Sequence, residues 1–137
     1  MRIHPDVPNF AWAELASPGR TLGEVVAHCC LEVGDRFWDH MVKLQALRDA
    51  WGSALTVTSA WRTPEHNEGV GGAPNSQHLV FATDIVPTFP QGKEAEARIE
   101  ALALAADYQR FHGIGTYPKK GFVHLDLRGS VARWTEK

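Results

Sequence analysis

Residues 59–85 read SAWRTPEHNEGVGGAPNSQHLVFATDI. This segment contains the strongest sequence signals for both the fold and the functional site. It begins within a strand-like run, Leu55–Trp61, which alternates and is rich in β-branched and aromatic residues. A loop rich in Gly, Pro and Asn follows at 62–77, and a second strand-like run begins at Asp84. The sequence therefore predicts two strands joined by a long loop that carries polar side chains.

Helical patterns precede this stretch. Residues 1–10 predict an extended lead-in, because two prolines oppose a helix there, and Phe10–Leu15 predicts a short amphipathic turn. A capping box predicts a helix over 21–33. A second helix is expected over 35–51, where apolar residues recur at helical spacing: Phe37, Met41, Leu44, Leu47 and Trp51.

The end of the chain reads as one helix followed by strands. A turn is expected at 89–92 and a helix from Lys93 to about Arg110. Strand patterns then cover residues 111–117, 122–127 and 131–134. Helices that come first and later strands linked by short turns favour an α+β fold, with a small antiparallel sheet backed by helices. We expect 137 residues to form one domain, 1–137.

Composition excludes several functional classes. The net charge of -2 indicates neither nucleic acid nor an anionic membrane as a partner. No apolar run approaches the ~18 residues that a membrane span needs. The only cysteines, Cys29 and Cys30, are adjacent in a helical pattern far from any His-bearing strand. We expect reduced, structural thiols there, and we disfavour a nucleophilic cysteine enzyme.

Two histidines beside strand-like segments are candidate metal ligands. His78 precedes Asp84 by six residues, and a loop that leads into a strand can bring such a pair onto one metal ion. His124 and Asp126 alternate within an apolar strand, so both project from the same face of it. A catalytic zinc site needs three ligands from His, Asp or Glu and a fourth position for water. A strand whose polar face meets solvent is the alternative for the second pair.

Taken together, these segments resemble the M15 family of zinc D-Ala-D-Ala peptidases, and most closely its small phage and bacterial cell-wall peptidases. The likeness lies in the 59–85 stretch followed by GIGTYPKKGFVHLDLRG, with NFAWAEL and LQALRDAWGSALTVTSAW upstream. It covers most of the chain, with several motifs in the family's order. The resemblance implies a small α+β domain whose antiparallel sheet carries zinc, a fold shared with the hedgehog signalling domain.

The resemblance also implies roles for individual residues. By motif match, the zinc ligands are His78, Asp84 and His124. Arg62 is expected to meet a substrate carboxylate or carbonyl, which suits its planar fork of donors. Ser76 and Gln77 are expected at the edge of the substrate pocket.

The sequence departs from the family pattern at two points. The family usually places its Asp seven residues after the His, with a Gly between, whereas the spacing here is six and Phe81 lies in that region. A one-residue slip in a strand reverses the face of a side chain, and a compensating loop would have to restore it. Many members also carry a catalytic Glu or Asp three residues before the second His, a position occupied here by Gly121.

A substitute for that missing carboxylate has to be found elsewhere. Asp126 is the preferred general base, and His112 or Glu65 is the next candidate. Asp126 could equally be the partner that orients a metal-binding histidine.

We therefore expect a zinc-dependent metallopeptidase, with Zn²⁺ as cofactor, that hydrolyses amide bonds in peptidoglycan stem peptides or cross-links. A carboxypeptidase and an endopeptidase both fit the sequence, and the oligomeric state is left open. A non-catalytic module that binds peptidoglycan peptides on the same fold is the alternative, and a metal-stabilised structural domain is a third. The first residues, MRIHPDVPNFAWAEL, interrupt any apolar run with charge and proline, so we expect no signal peptide. We expect synthesis in the cytoplasm and release to the cell wall by lysis, through a partner channel or in a phage programme.

Overall fold

The computed structural model describes residues 2–88 and 93–136. Its α-helices are α1 (Leu22–Ala27), α2 (Asp35–Trp51), α3 (Pro64–Gly69) and α4 (Lys93–Tyr108). Its strands are β1 (Arg2–His4), β2 (Val7–Ala11), β3 (Leu55–Ser59), β4 (Ala82–Pro87), β5 (Gly113–Tyr117), β6 (Phe122–Asp126) and β7 (Ala132–Thr135). The predicted α+β class is confirmed.

The main sheet has five strands in the order β3-β4-β6-β5-β7. Its pairs are antiparallel except for β5 and β7, which run parallel. β6 already has β4 and β5 as neighbours, so β7 pairs with the free edge of β5. The pair is parallel because β5 and β7 both run opposite to β6. The sheet is thus largely antiparallel, as expected, with one parallel pair at an edge.

The two faces of this sheet have different roles. Side chains alternate along each strand, so one face carries the apolar residues that helices α2 and α4 cover. Buried members of this core include Ile85, Ile114, Val123 and Leu125 from the strands and Phe37, Met41, Leu44, Ile99 and Leu102 from the helices. The opposite face carries the register-paired residues Asp84, His124, Gly115 and Trp134. Sheet register therefore places the candidate site on the face away from the helical layer.

The expected extended lead-in forms a small antiparallel hairpin, in which β1 pairs with β2. Its apolar side chains Ile3, Val7 and Phe10 are buried in the core. The amphipathic turn that follows is a 3₁₀ turn, Trp12–Leu15, with Trp12 and Leu15 buried. This pairing and the burial of these side chains make the N-terminal segment part of the folded core.

Two helical segments differ from the prediction. The helix expected over 21–33 is α-helical only in α1 and continues as a π-helical turn, His28–Val33. The predicted loop 62–77 contains the short helix α3, which Thr63 caps and Pro64 begins. That helix has no apolar stripe, so hydrophobic periodicity gives no sign of it. The turn expected at 89–92 lies outside the described residues.

Among the described helices, none combines the length and the apolar character that crossing a membrane requires.

Candidate metal centre

Three predicted ligand residues meet at one point on the site face of the sheet. His78 Nε2 lies 3.1 Å and His124 Nδ1 lies 3.0 Å from Asp84 Oδ1. One ligand atom from each residue can be chosen so that all three lie within 4.8 Å of one another, and all three side chains are buried. Asp84 and His124 are opposite partners in the β4–β6 register, which fixes their separation.

The other ring nitrogen of each histidine is already occupied. His78 Nδ1 donates to the Ala60 carbonyl at 2.6 Å, and His124 Nε2 donates to Asp126 Oδ2 at 2.7 Å. In the neutral ring His78 therefore turns an unprotonated nitrogen toward the Asp84 carboxylate, and His124 does the same when the shorter of its two carboxylate contacts, the one to Asp126, holds the ring proton. Two lone pairs and an anion in contact require a cation between them, either added protons or a metal ion. The donor set of two imidazole nitrogens and one carboxylate oxygen fits a zinc ion with an open fourth position.

The pKa values of the cluster show the same demand for positive charge. Burial opposes ionisation of Asp84, but hydrogen bonds from His124 and His78 outweigh it and lower its pKa to about 2. Burial likewise opposes protonation of His124, yet Asp126 and Asp84 outweigh it and raise the pKa of that ring. The two carboxylates thus favour a positive charge at His124.

The six-residue spacing between His78 and Asp84 still brings both residues to the cluster. His78 lies in a 3₁₀ turn, Gln77–Leu79, whose start is capped by the Ser76 side chain. Phe81 then enters the core, with its ring 5.0 Å from that of Phe37. The tight turn takes up the missing residue before β4 begins, so Asp84 keeps the face that its β6 partner dictates.

Asp126 lies behind the cluster and away from the pocket. Its side chain has no exposed surface, and besides His124 it binds the guanidinium of Arg128 through Nε at 2.9 Å and Nη2 at 2.7 Å. Burial would raise its pKa, but the hydrogen bonds from His124 and Arg128 lower it well below its usual range. Of the other base candidates, His112 Nδ1 donates to the Arg128 carbonyl, and Glu65 is exposed in the first turn of α3.

Arg62 lies beside the cluster. Its Nη2 is 3.7 Å from Asp84 Oδ2, while Nε donates to Ser59 Oγ and Nη1 to Asn67 Oδ1. Ser76 caps the turn that carries His78, and Gln77 accepts a hydrogen bond from Arg36 at 2.6 Å. The structure thus brings all three expected substrate-contacting residues to the wall of one pocket with the metal-binding cluster.

This pocket has a volume of about 570 Å³ and a far wall that sequence reasoning missed. Trp134 on β7 lies with its ring 5.4 Å from that of His124, and its Nε1 donates to the Tyr117 hydroxyl at 2.9 Å. A Cβ added to Gly115 would lie 2.5 Å from the indole, so glycine is required for this close approach. The alternation of Gly113 and Gly115 was the available signal, because two glycines on one strand face mark a close neighbour. Lys120, Phe122, Arg128 and Glu136 also line this side.

A family model described as Peptidase M15 matches residues 9–126. A comparison with curated proteins finds no match. The matched range contains His78, Asp84 and His124, whereas Trp134 and Glu136 in the far wall lie beyond it. Because the match covers most of the chain, the chain belongs to the Peptidase M15 family.

Proposed function

We propose that this protein is a zinc-dependent peptidase that hydrolyses amide bonds in peptidoglycan stem peptides or their cross-links. The observation that carries the proposal is the convergence of His78 Nε2, Asp84 Oδ1 and His124 Nδ1 in a pocket, with the remaining histidine nitrogens held by other acceptors. Membership of a peptidase family supports a peptide substrate. The choice of peptidoglycan follows from the resemblance of the sequence motifs to cell-wall peptidases.

In this proposal His78, Asp84 and His124 hold the metal ion. Zinc would supply Lewis acidity, which activates a water molecule and polarises the scissile carbonyl. The three residues fix the position of that chemistry, because sheet register and the capped turn leave their side chains little freedom.

Arg62 holds the substrate in this proposal. Two of its donors are used by Ser59 and Asn67, which fixes the plane of the guanidinium beside Asp84. The donors that remain can bind a carbonyl or carboxylate of the peptide in the bidentate manner that arginine favours. Ser76 and Gln77 would line the same end of the substrate.

Asp126 would contribute to the reaction through His124. Its carboxylate sets the tautomer of that ring, which leaves Nδ1 free to bind the metal ion. A direct proton transfer from its buried carboxylate would need an opening to the pocket. Glu136 is a carboxylate that does line the pocket, where it pairs with Lys120 at 2.6 Å, so Glu136→Gln belongs in any test of the general base.

A peptide-binding module without turnover is the second candidate. It is favoured by Gly121 at the position where the family carries a catalytic carboxylate, together with the burial of Asp126. The two functions differ in whether a bound stem peptide is cut.

The metal is tested first, by measuring zinc per chain in protein purified without a metal-affinity tag. We expect about one zinc ion per wild-type chain and loss of zinc in both His78→Ala and Asp84→Ala. Asp39→Asn, an exposed carboxylate on α2, is the matched control and should retain zinc. An unchanged zinc content in Asp84→Ala would contradict the proposed ligand set.

The reaction is tested by incubating the zinc-loaded protein with stem peptides and intact sacculi, and by analysing the products by mass spectrometry. Loss of a terminal residue identifies a carboxypeptidase, whereas release of cross-linked fragments identifies an endopeptidase. Arg62→Lys should weaken the reaction, because an ammonium cannot replace the planar fork. Tight binding of intact peptides without products would replace the proposed enzyme with the binding module.

A further inference from the structure

The short link between His78 and Asp84 is held from outside by a buried histidine. Val80, the second residue of this link, has φ −95° and ψ −82°, and its carbonyl accepts a hydrogen bond from His28 Nε2 at 2.6 Å. A carbonyl oxygen can only accept, so His28 Nε2 is the donor in this hydrogen bond. The contact spans 52 residues of sequence and joins the π-helical turn to the segment between two ligands.

His28 is itself fixed on three sides. Its ring stacks on that of Trp61 at 4.3 Å with an interplanar angle of 13°. Its Nδ1 lies 3.0 Å from Glu32 Oε2, and its side chain is only 10% exposed. Trp61 directly follows Ala60, whose carbonyl binds the ring of His78. His28 therefore contacts one residue in each of the two segments that flank His78 in space, Val80 through its carbonyl and Trp61 through its ring.

We propose that His28 is a positioning residue for the metal centre, which holds the shortened His78–Asp84 link in the shape that lets both side chains reach one metal ion. This inference rests on the proposed metal site. A link one residue shorter has fewer conformations that satisfy both ends, and the His28 donor on the Val80 carbonyl selects one of them. A histidine that served only the core would stabilise the fold without changing metal affinity.

The test uses two substitutions that separate these roles. His28→Phe keeps an aromatic ring on Trp61 but removes the donor, whereas His28→Gln keeps a donor that can reach the Val80 carbonyl. We expect zinc affinity, measured by competition with a chromophoric chelator, to fall about tenfold or more in His28→Phe, as for other groups that orient metal ligands. His28→Gln should recover most of that loss. His4→Phe, an exposed histidine on the hairpin, should bind zinc like the wild type.

Two further measurements do not depend on activity. The visible spectrum of the cobalt-substituted protein reports the coordination geometry, and it should change in His28→Phe and return in His28→Gln. The melting temperature of the metal-free proteins reports the fold. An affinity loss with a spectral change that is rescued by glutamine supports positioning even when the phenylalanine variant is less stable.

The inference is overturned when His28→Phe binds zinc as tightly as the wild type, or when glutamine restores stability without restoring affinity. Its failure is distinct from failure of the proposed function. A wild-type protein that binds zinc but cuts no peptide would refute the peptidase and leave the role of His28 standing. Peptide cleavage by the wild type, together with unchanged zinc affinity in His28→Phe, would support the peptidase and refute the positioning role of His28.

Discussion

At the scale of single residues, the candidate site depends on which atom of each histidine is free. The free nitrogen is Nε2 in His78 and Nδ1 in His124, and in each case a buried acceptor behind the ring makes the choice. Asp126 differs from the Ala60 carbonyl in carrying a negative charge, which is buried and paired with Arg128. Sequence reasoning preferred Asp126 as the general base. In the proposed site it instead orients the metal-binding His124, which is the alternative that the sequence left open.

Asp126→Asn tests this orienting role. The substitution keeps the shape but removes the charge, leaves Arg128 without its anion and weakens the hold on His124 Nε2. We expect zinc affinity to fall about 10- to 100-fold and the metal-free protein to lose about 3–5 kcal/mol of unfolding free energy. Zinc titration and urea unfolding measure the two effects. Asp107→Asn, in an exposed ion pair with Arg133, should change neither, and unchanged zinc affinity in Asp126→Asn would contradict the assignment.

At the scale of elements, strand β6 carries the site because its two faces alternate. The pattern FVHLD predicted that His124 and Asp126 share one face, and the structure confirms this, because their side chains hydrogen bond with each other. Val123 and Leu125 lie on the other face, in the core. The neighbouring strand β5 contributes no side chain at Gly113 and Gly115, which leaves room for Asp126 and Trp134. One strand therefore supplies the polar groups and the next supplies the space.

Gly113→Ala tests the need for that space. A Cβ at this position would collide with the carboxylate of Asp126, which cannot move without breaking its bonds to His124 and Arg128. We expect a loss of about 1–3 kcal/mol in unfolding free energy and weaker zinc binding, from chemical denaturation and metal titration. Gly129→Ala is the matched control, since a Cβ there meets no atom within 4 Å. Equal stability of the two variants would show that the strand yields without cost.

At the scale of the whole molecule, helix α2 buries a second kind of histidine against the sheet. His40 contacts Phe81 and Phe111, and its Nε2 hydrogen bonds with Thr83 Oγ1 at 2.9 Å. Burial lowers its pKa to about 3, so the folded protein keeps this ring neutral. His40 lies on the core side of the sheet and has no place in the metal-binding cluster.

The stability of the metal-free protein should therefore fall on acidification. His40 has a folded pKa below its unfolded value of about 6.5, so the unfolded chain binds that proton first and stability is lost as the pH falls from about 6.5 towards 3. Asp84 and Asp126, whose pKa values are also lowered, add a second loss below about pH 4. The raised pKa of His124 acts at the other end, because its contribution is complete below about pH 6.5 and is lost only as the pH rises through its folded value.

Urea unfolding across this pH range measures the effect. His40→Met should flatten the curve between about pH 6.5 and 4 whatever its effect on overall stability, because it removes the buried titrating group. Val42→Met, an exposed apolar position on the same helix, should leave the slope unchanged. A wild-type curve that is flat from pH 6.5 to 4 would contradict the assignment of a neutral, buried His40.

The amino-acid sequence was enough to predict the fold class, most of the helices and strands, and the three residues that meet in the candidate metal-binding cluster. It could do so because hydrophobic alternation and helical spacing are local properties, and because the ordered motifs lie on those elements. Only the tertiary structure decided that Asp84 reaches the cluster across six residues, that Asp126 faces Arg128 and that β7 pairs with β5. Each of these depends on which distant segment fills the space beside a residue. Packing and the pairing of buried polar groups determine these neighbours, and neither produces a periodic pattern in the sequence.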